Sequence, residues 1–301
     1  MSESTVLYDA PGPRARRRSL IGGLVATAVI LAAVGLAAKR LADKGQFDGE
    51  LWAPLFDPGN EYFRDDWRAI GLGLLNTLKA AGLAIAFSLA LGAVLGTGRL
   101  MLGRVSRIPL IGVMELLRGL PVVITIYFAS RVLPEVGADL SFMPGGEGLW
   151  YLVIGLTAYN MVIIAEILRA GVLSLPSGQR EAALAIGLTP GATMRLILLP
   201  QAVRTMLPAL ISQLVVILKD TSLAAVLGLY EELLNRANQL ALFFDNRIQM
   251  LSVVAVIFIV INYLLSRLAR LVEARLSRAG RTGAAPDDTG DVAQTLTSTG
   301  V

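Results

Sequence analysis

Six long apolar stretches constrain the fold of this chain more than any other feature. They cover roughly residues 20–38, 70–97, 111–130, 149–168, 206–229 and 250–268. A helix of about 20 apolar residues can cross the hydrocarbon core of a bilayer with all of its backbone hydrogen bonds made internally. The chain is 54% hydrophobic and only 17% charged, which is unusual for a soluble domain. We therefore predict an all-α, polytopic membrane protein with about six transmembrane helices.

The first stretch, residues 19–38, follows a basic arm, residues 1–18, and could be a signal peptide or an uncleaved helix. Its apolar run exceeds the about 7–15 residues of a signal-peptide hydrophobic region, and no clear cleavage site follows it. We therefore predict a transmembrane helix here. Residues 39–68 then form an external segment, and the small, polar residues 282–301 predict a disordered cytoplasmic tail.

The distribution of Lys and Arg predicts the orientation. The net charge of +4 could suggest a nucleic-acid partner, but the basic residues are arginines scattered through short loops, so no such partner is expected. With the N-terminus in the cytoplasm, basic residues of the cytoplasmic segments outnumber those of the external segments by sixteen to eight. This agrees with the positive-inside rule. It predicts a multi-pass protein of the plasma membrane whose 177–200 loop is cytoplasmic.

Several kinds of chemistry are excluded by composition. The chain contains neither His nor Cys, so it has no disulfide, no histidine general base and no thiolate nucleophile or metal ligand. It also lacks the G-x-x-x-x-G-K-[ST] phosphate-binding loop. We therefore expect no catalytic site, no bound metal and no cofactor in this chain.

The loop between the fourth and fifth stretches, SGQREAALAIGLTPGATMRLILLP over residues 177–200, predicts two short helices joined by a sharp turn. Residues 179–186 are strong helix formers, and Gly187 suits the left-handed position that ends a helix. Thr189 suits an N-cap and Pro190 the first helical position. Its leucines give this helical hairpin an apolar surface, which needs a partner to cover it.

The same loop resembles the EAA motif of bacterial ABC-importer permeases at every defined position and with the family's spacing. The matching residues are Glu181, Ala182, Ala183 and Gly187, followed by Ile197, Leu199 and Pro200. The resemblance implies that these residues couple ATP hydrolysis to transport. The loop would dock on a cytoplasmic ABC ATPase dimer, which would bind the ATP and Mg²⁺.

Longer segments, such as MELLRGLPVVITIYF (residues 114–128) and ISQLVVILKDTSLAAVLGLYEELL (residues 211–234), look like the polar amino acid subfamily of these permeases. The N-terminal VLYDAPGPRARRR (residues 6–18) is similar to glutamate permease subunits of actinobacteria. The resemblance implies a five-helix type I importer domain over residues 69–281, preceded by one extra helix. It also implies ATP-driven uptake of a polar amino acid such as glutamate, with a second permease subunit and an extracytoplasmic amino-acid-binding protein.

Ionisable residues within the apolar stretches are costly and are usually either paired or functional. Glu115 with Arg118, and Glu166 with Arg169, are three residues apart and suit structural ion pairs.

The run 219–222 is composed of Lys219, Asp220, Thr221 and Ser222, whose last three residues favour N-caps. The helix could therefore break here, and its restarted N-terminus, with Lys219, would attract an amino acid carboxylate, while Asp220 pairs with the ammonium group or with Lys219. The alternative is a Lys219–Asp220 pair that only packs the bundle. Tyr159, Asn160 and Gln213 are further candidates for the substrate pathway.

A second reading is a transporter driven by Na⁺ or H⁺. Such a protein needs intramembrane acids, for which Asp220 and Glu166 are available, and often has an inverted repeat. No repeat is visible in the sequence. A membrane enzyme has little support, because no nucleophile motif is present.

Overall fold

A computed structural model describes residues 12–281. For residue 269 and residues 272–281 it describes only the backbone. The helices are α1 (Pro13–Asp43), α2 (Gly49–Phe56), α3 (Phe63–Met101), α4 (Arg107–Gly119), α5 (Val122–Glu135), α6 (Glu147–Leu173), α7 (Ser177–Ala185), α8 (Pro190–Ala192), a π-helical turn (Thr193–Leu198), α9 (Leu199–Thr205), α10 (Leu207–Asp220), α11 (Leu223–Leu227), α12 (Leu233–Phe243) and α13 (Arg247–Arg281). The described residues contain no strand.

Five segments are long and apolar enough to cross a membrane, and a bent pair of helices supplies a sixth. The five are α1, α3, α6, the Leu207–Leu227 segment and the Arg247–Leu268 part of α13. The bent pair is α4 and α5, whose axes turn by 106°. The predicted all-α membrane architecture is therefore confirmed.

The stretch predicted as one helix over residues 111–130 differs from this expectation, because it is divided between α4 and α5. Leu120 is extended, with φ −90° and ψ 138°, and it precedes Pro121. A residue before proline is pushed out of the helical region by the proline ring. Gly119, which ends α4, also disfavours a continuous helix. The local sequence GLP thus explains the bend.

At the N-terminal end of the chain, the first helix begins earlier than predicted. α1 already begins at Pro13, so residues 13–18 of the expected basic arm belong to the helix. Proline suits the first helical position, and the arginines that follow are good helix formers. No residue of α1 is buried. The tail 282–301 lies outside the described residues.

The segment predicted to be external, residues 39–68, contains the short helix α2 and is fastened to the end of the bundle. Trp67 Nε1 donates to the carbonyl of Leu55 at 3.0 Å. Asn246 Nδ2 donates to the carbonyl of Leu51 at 3.1 Å, and Gln249 Nε2 to that of Gln46 at 2.6 Å. Leu55 itself is buried among residues of α3, α12 and α13.

The main core surrounds α6, which packs against α3 and α5. Leu152, Leu156 and Ile164 are fully buried along this helix. The crossing with α5 is close, because a Cβ added at Gly155 would lie 2.4 Å from the Cα of Ile126. Small residues permit such approaches, which supply the dispersion contacts that hold membrane helices together.

Candidate functional site: the 177–200 hairpin and the Lys219 cavity

The 177–200 hairpin has the local structure that its sequence predicts. α7 covers residues expected to be helical, and Gly187 follows it with φ +87° in the left-handed region. Thr189 Oγ1 caps α8 by accepting a hydrogen bond from the amide of Ala192 at 3.2 Å, and Pro190 takes the first helical position. The turn is therefore specified by three residues within four positions, each with its own physical role.

The tip of this hairpin is exposed. Glu181 and Ala182 are exposed, whereas Ala183 is buried against the rest of the hairpin. Ile186, which directly precedes Gly187, is 80% exposed. The sequence analysis did not single out Ile186. The sequence feature that could have identified it is an isoleucine next to a helix-ending glycine, because no further helical turn can cover the isoleucine side chain there.

The second arm of the hairpin connects the tip to the membrane bundle. Thr193–Leu198 is a π-helical turn and leads without a gap into α9. Leu199 packs against the main core, whereas Ile197 is half-buried and Pro200 is exposed. Ala202 on α9 is fully buried against α6, where its carbonyl would lie 3.0 Å from a Cβ added at Gly171. The base of the hairpin is thus packed directly on α6.

The predicted ion pairs within the bundle are present. Glu115 pairs with Arg118. Glu166 Oε2 accepts from Arg169 Nε at 2.9 Å. Glu166 also bonds through Oε1 to Arg99 of α3, so that it joins α3 to α6. The sequence could not indicate Arg99, because this residue is 67 positions away and only the packing of the two helices brings it close.

The predicted break after Asp220 is present, but it is not an N-cap. α10 ends at Asp220, and α11 begins at Leu223. The hydroxyls of Thr221 and Ser222 donate backwards to the carbonyls of Leu218 and Lys219, both at 2.7 Å, and neither side chain caps α11. Thr221 is fully buried. The predicted side-chain cap of the restarted helix is therefore absent, and the carboxylate site expected at its N-terminus stays a prediction.

The predicted Lys219–Asp220 pair is also absent, since neither residue forms a salt bridge within the described part of the chain. Successive residues on a helix point in different directions, which explains their separation. The exposed Lys219 instead lines a cavity of about 530 Å³ with Ser222 of the turn and Asn262 of α13. Asn262 Nδ2 donates to the carbonyl of Phe258 at 2.6 Å, whereas its Oδ1 is buried and lacks a hydrogen bond among the described residues.

The remaining pathway candidates lie elsewhere. Asn160 is fully buried, donates to the carbonyl of Leu156 at 2.8 Å and accepts from Gln213 Nε2 at 2.6 Å. This bond joins α6 to α10. Tyr159 is half-buried. None of these three candidates lines the Lys219 cavity, and the Asn160–Gln213 bond has the geometry of a structural contact.

A buried acid lies between the last two spans. Glu232 is fully buried, and its carboxylate caps α12 by accepting from the amides of Leu234 and Asn235, each at 2.8 Å. Burial raises the pKa of the Glu232 carboxyl, although these two hydrogen bonds act in the opposite direction.

Within residues 12–281, no group of three acidic side chains is placed to hold a metal ion.

Comparisons with known proteins agree with this geometry. Residues 88–278 match the family described as the binding-protein-dependent transport system inner membrane component. The glutamate transport system permease protein GluD of Corynebacterium glutamicum is 40% identical over 243 residues, covering 80% of this chain and 85% of that protein. The glutamine transport system permease protein GlnP of Escherichia coli is 36% identical over 214 residues, covering 70% of this chain and 95% of that protein.

Among solved structures, an amino acid ABC transporter crystallised with histidines superposes with a TM-score of 0.62 at 25% identity. The match covers 71% of this chain and 96% of the solved chain. Permease subunits of this kind are not enzymes, and the ATPase is a separate subunit. The chain therefore belongs to the family of binding-protein-dependent transport system inner membrane components, as an amino acid ABC transporter permease.

Proposed function

We propose that this permease imports glutamate into the cytoplasm in an ATP-driven transporter, with its N-terminus and its 177–200 hairpin on the cytoplasmic side. The observation that carries the proposal is the hairpin, which projects an exposed apolar tip at Ile186 beside Gly187. Leu184 and Leu196 of the same hairpin are exposed as well, and a group of exposed apolar side chains is typical of a protein interaction site. An ABC ATPase dimer is the partner that fits, because this chain has no phosphate-binding loop of its own.

The glutamate assignment is supported by the 40% identity to a glutamate permease and the 36% identity to a glutamine permease. The proposed assembly contains the ATPase dimer, a second permease subunit and an extracytoplasmic amino-acid-binding protein. Secondary ion-coupled transport, the second reading of the sequence, is not favoured by this family membership.

In the proposed mechanism, closure of the ATPase dimer pushes the hairpin tip. Ala202 and Gly171 bring α9 and α6 into close contact, so we expect α9 to move α6 with it. Glu166 holds α3 to α6 through Arg99, and α3 therefore follows. Two of the long spans would thus respond together and open the membrane domain toward the loaded binding protein.

The substrate contact that we propose is the Lys219 cavity. Lys219 offers an ammonium group to a carboxylate of glutamate. The hydroxyl of Ser222 already donates to the carbonyl of Lys219, so its oxygen can accept from the substrate's ammonium group. The free Oδ1 of Asn262 can accept from the substrate's ammonium group. Asp220, Thr221, Tyr159, Asn160 and Gln213 are not needed in this version of the site.

The test is uptake of labelled glutamate into proteoliposomes that contain the complete transporter, with and without ATP. Gly187→Val forces a branched side chain into a left-handed backbone, which costs about 1–2 kcal/mol and distorts the tip. We expect ATP-dependent uptake in the native protein and its loss in the variant, with the complex still assembled. Gly178→Ala is the matched control, because an added Cβ meets nothing within 4 Å on the same hairpin.

The opposite results are equally informative. Normal uptake by an assembled Gly187→Val transporter would remove the hairpin tip from the mechanism. Glutamate uptake that needs an ion gradient and no ATPase would overturn the proposed function and return Asp220 and Glu166 to consideration as ion-coupling groups.

A further inference from the structure

A second cavity, of about 310 Å³, lies where α7 joins the membrane bundle, and we name it the Arg180 cavity. Its apolar wall includes Met101 at the end of α3, Leu173 at the end of α6 and Leu198 of the π-helical turn. The candidate membrane spans α3 and α6 both end here, so the cavity lies at the end of the two spans that leads into the 177–200 hairpin. It shares no residue with the Lys219 cavity.

The polar wall of the Arg180 cavity has the character of an anion site. Arg180 lines it and forms no salt bridge within the described part of the chain. Ser177 lines it as the first residue of α7, and no side chain caps that helix. An uncapped helix N-terminus presents free amides and a partial positive charge, both of which favour a bound anion.

A buried, unpartnered hydroxyl provides the second and independent observation. Thr193 is 1% exposed and lines the Arg180 cavity. Its Oγ1 is buried without a hydrogen-bond partner among the described residues. Buried hydroxyl groups nearly always have a partner, because leaving one unpaired costs about 1–3 kcal/mol. A ligand with hydrogen-bonding oxygens would supply that partner.

We propose that the Arg180 cavity binds the phosphate headgroup of an anionic phospholipid of the cytoplasmic leaflet, and that this lipid holds the 177–200 hairpin in its working position. Free phosphate shares the same oxygen chemistry, but the wall of Met101, Leu173 and Leu198 suits an acyl chain. Basic pockets at the cytoplasmic ends of membrane helices are typical headgroup sites. The proposal rests on the proposed function only for the cytoplasmic position of the hairpin.

The consequence for transport follows from the position of the lipid. Its phosphate would join Arg180 and the start of α7 to Thr193 on the opposite arm, while its chain would contact α3 and α6. It would bind at the base of the hairpin, since Ile186 at the tip is six residues, or about 9 Å of helix, beyond Arg180. The lipid would therefore stiffen the connection between ATPase and membrane domain without covering the docking tip.

The test uses the complete transporter in nanodiscs of phosphatidylcholine, with and without phosphatidylglycerol. Native mass spectrometry measures retained lipid, and ATPase activity stimulated by the loaded binding protein measures coupling. We expect phosphatidylglycerol to be retained and to raise the stimulated activity. Arg180→Gln should weaken retention about fivefold, because one arginine contributes about that factor to anionic-lipid binding. Thr193→Val keeps the shape of the side chain and should weaken retention severalfold.

The matched control is Arg195→Gln, which removes an exposed arginine of the same hairpin that does not line the cavity. It should retain lipid like the native protein. Equal retention by the Arg180→Gln and Arg195→Gln proteins would overturn the proposal. So would full stimulation by inorganic phosphate in phosphatidylcholine alone, which would assign the cavity to a free anion.

The remaining outcomes distinguish the two proposals. Loss of the ATPase subunit from the Arg180→Gln complex, with lipid retention unchanged, would make Arg180 a contact to the ATPase and refute the lipid site. ATP-driven glutamate uptake by the native protein in phosphatidylcholine alone would confirm the proposed function regardless of the lipid result.

Discussion

The crossing of α5 and α6 gives a quantitative test of the fold at Gly155. An alanine Cβ at this position would lie 2.4 Å from the Cα and 2.7 Å from the backbone nitrogen of Ile126. Ordinary contacts of a Cβ begin at 3.4 Å, so the two helices must separate by about 1 Å in the Gly155→Ala protein. Overpacking of this kind costs about 1–3 kcal/mol. For a domain of this size, that loss lowers the melting temperature by about 2–12 °C.

The assay is thermal unfolding of the detergent-purified protein, followed by the loss of monodisperse material in size-exclusion chromatography. Gly82→Ala is the matched control, because it is also a helical glycine and its added Cβ meets nothing within 4 Å. Alanine should stabilise a helix there by about 0.5–1 kcal/mol. Since the closest atoms at Gly155 belong to the backbone, truncating Ile126 to Ala should not rescue Gly155→Ala. An unchanged melting temperature for Gly155→Ala would refute the close crossing.

Three further predictions concern charged groups. Glu166→Gln should lower the free energy of unfolding by about 1.5–3 kcal/mol in the same thermal assay, because Arg99 and Arg169 lose the charge of a shared, largely buried partner. Unchanged stability would contradict the link between α3 and α6. Because the pKa of Glu232 is raised in the folded protein, the folded state binds this proton more tightly than the unfolded chain does. Its contribution to stability therefore declines as the pH rises above about 4.3 through the raised pKa. Glu232→Gln should flatten this decline in melting temperature, and an identical pH profile in the variant would refute the role of Glu232. Lys219→Met should weaken glutamate transport about 10–100-fold, the value of a charge-assisted hydrogen bond, in an uptake assay with the assembled complex; uptake at the native rate would remove Lys219 from the pathway.

The sequence predicted those parts of the structure that depend on neighbouring residues. Gly187, Thr189 and Pro190 each specify one step of the hairpin turn through their own backbone or side chain, and all three act as expected. The apolar stretches likewise predicted the spans, because burial of backbone groups in a bilayer is a local requirement. The bend between α4 and α5 was missed, although Pro121 carried its signal.

Features that depend on tertiary packing could not be predicted. Arg99 reaches Glu166 only because α3 packs on α6. The hydroxyls of Thr221 and Ser222 could either cap the next helix or bond backwards, and the sequence does not distinguish these alternatives. The free Oδ1 of Asn262 becomes visible only when α13 lies beside Lys219.

The bent pair of α4 and α5 also determines how many times the chain crosses the membrane between α3 and α6. Arg99 and Glu166 each lie near the last turns of their helices and are bonded to each other. Spans α3 and α6 therefore run in the same direction and finish at the same membrane face. Neither α4 nor α5, at about 20 Å, is long enough to cross alone. Together they must return the chain to the opposite face before α6 begins. An epitope inserted within residues 137–146 and one at residues 186–188 will consequently be found on opposite sides of the membrane.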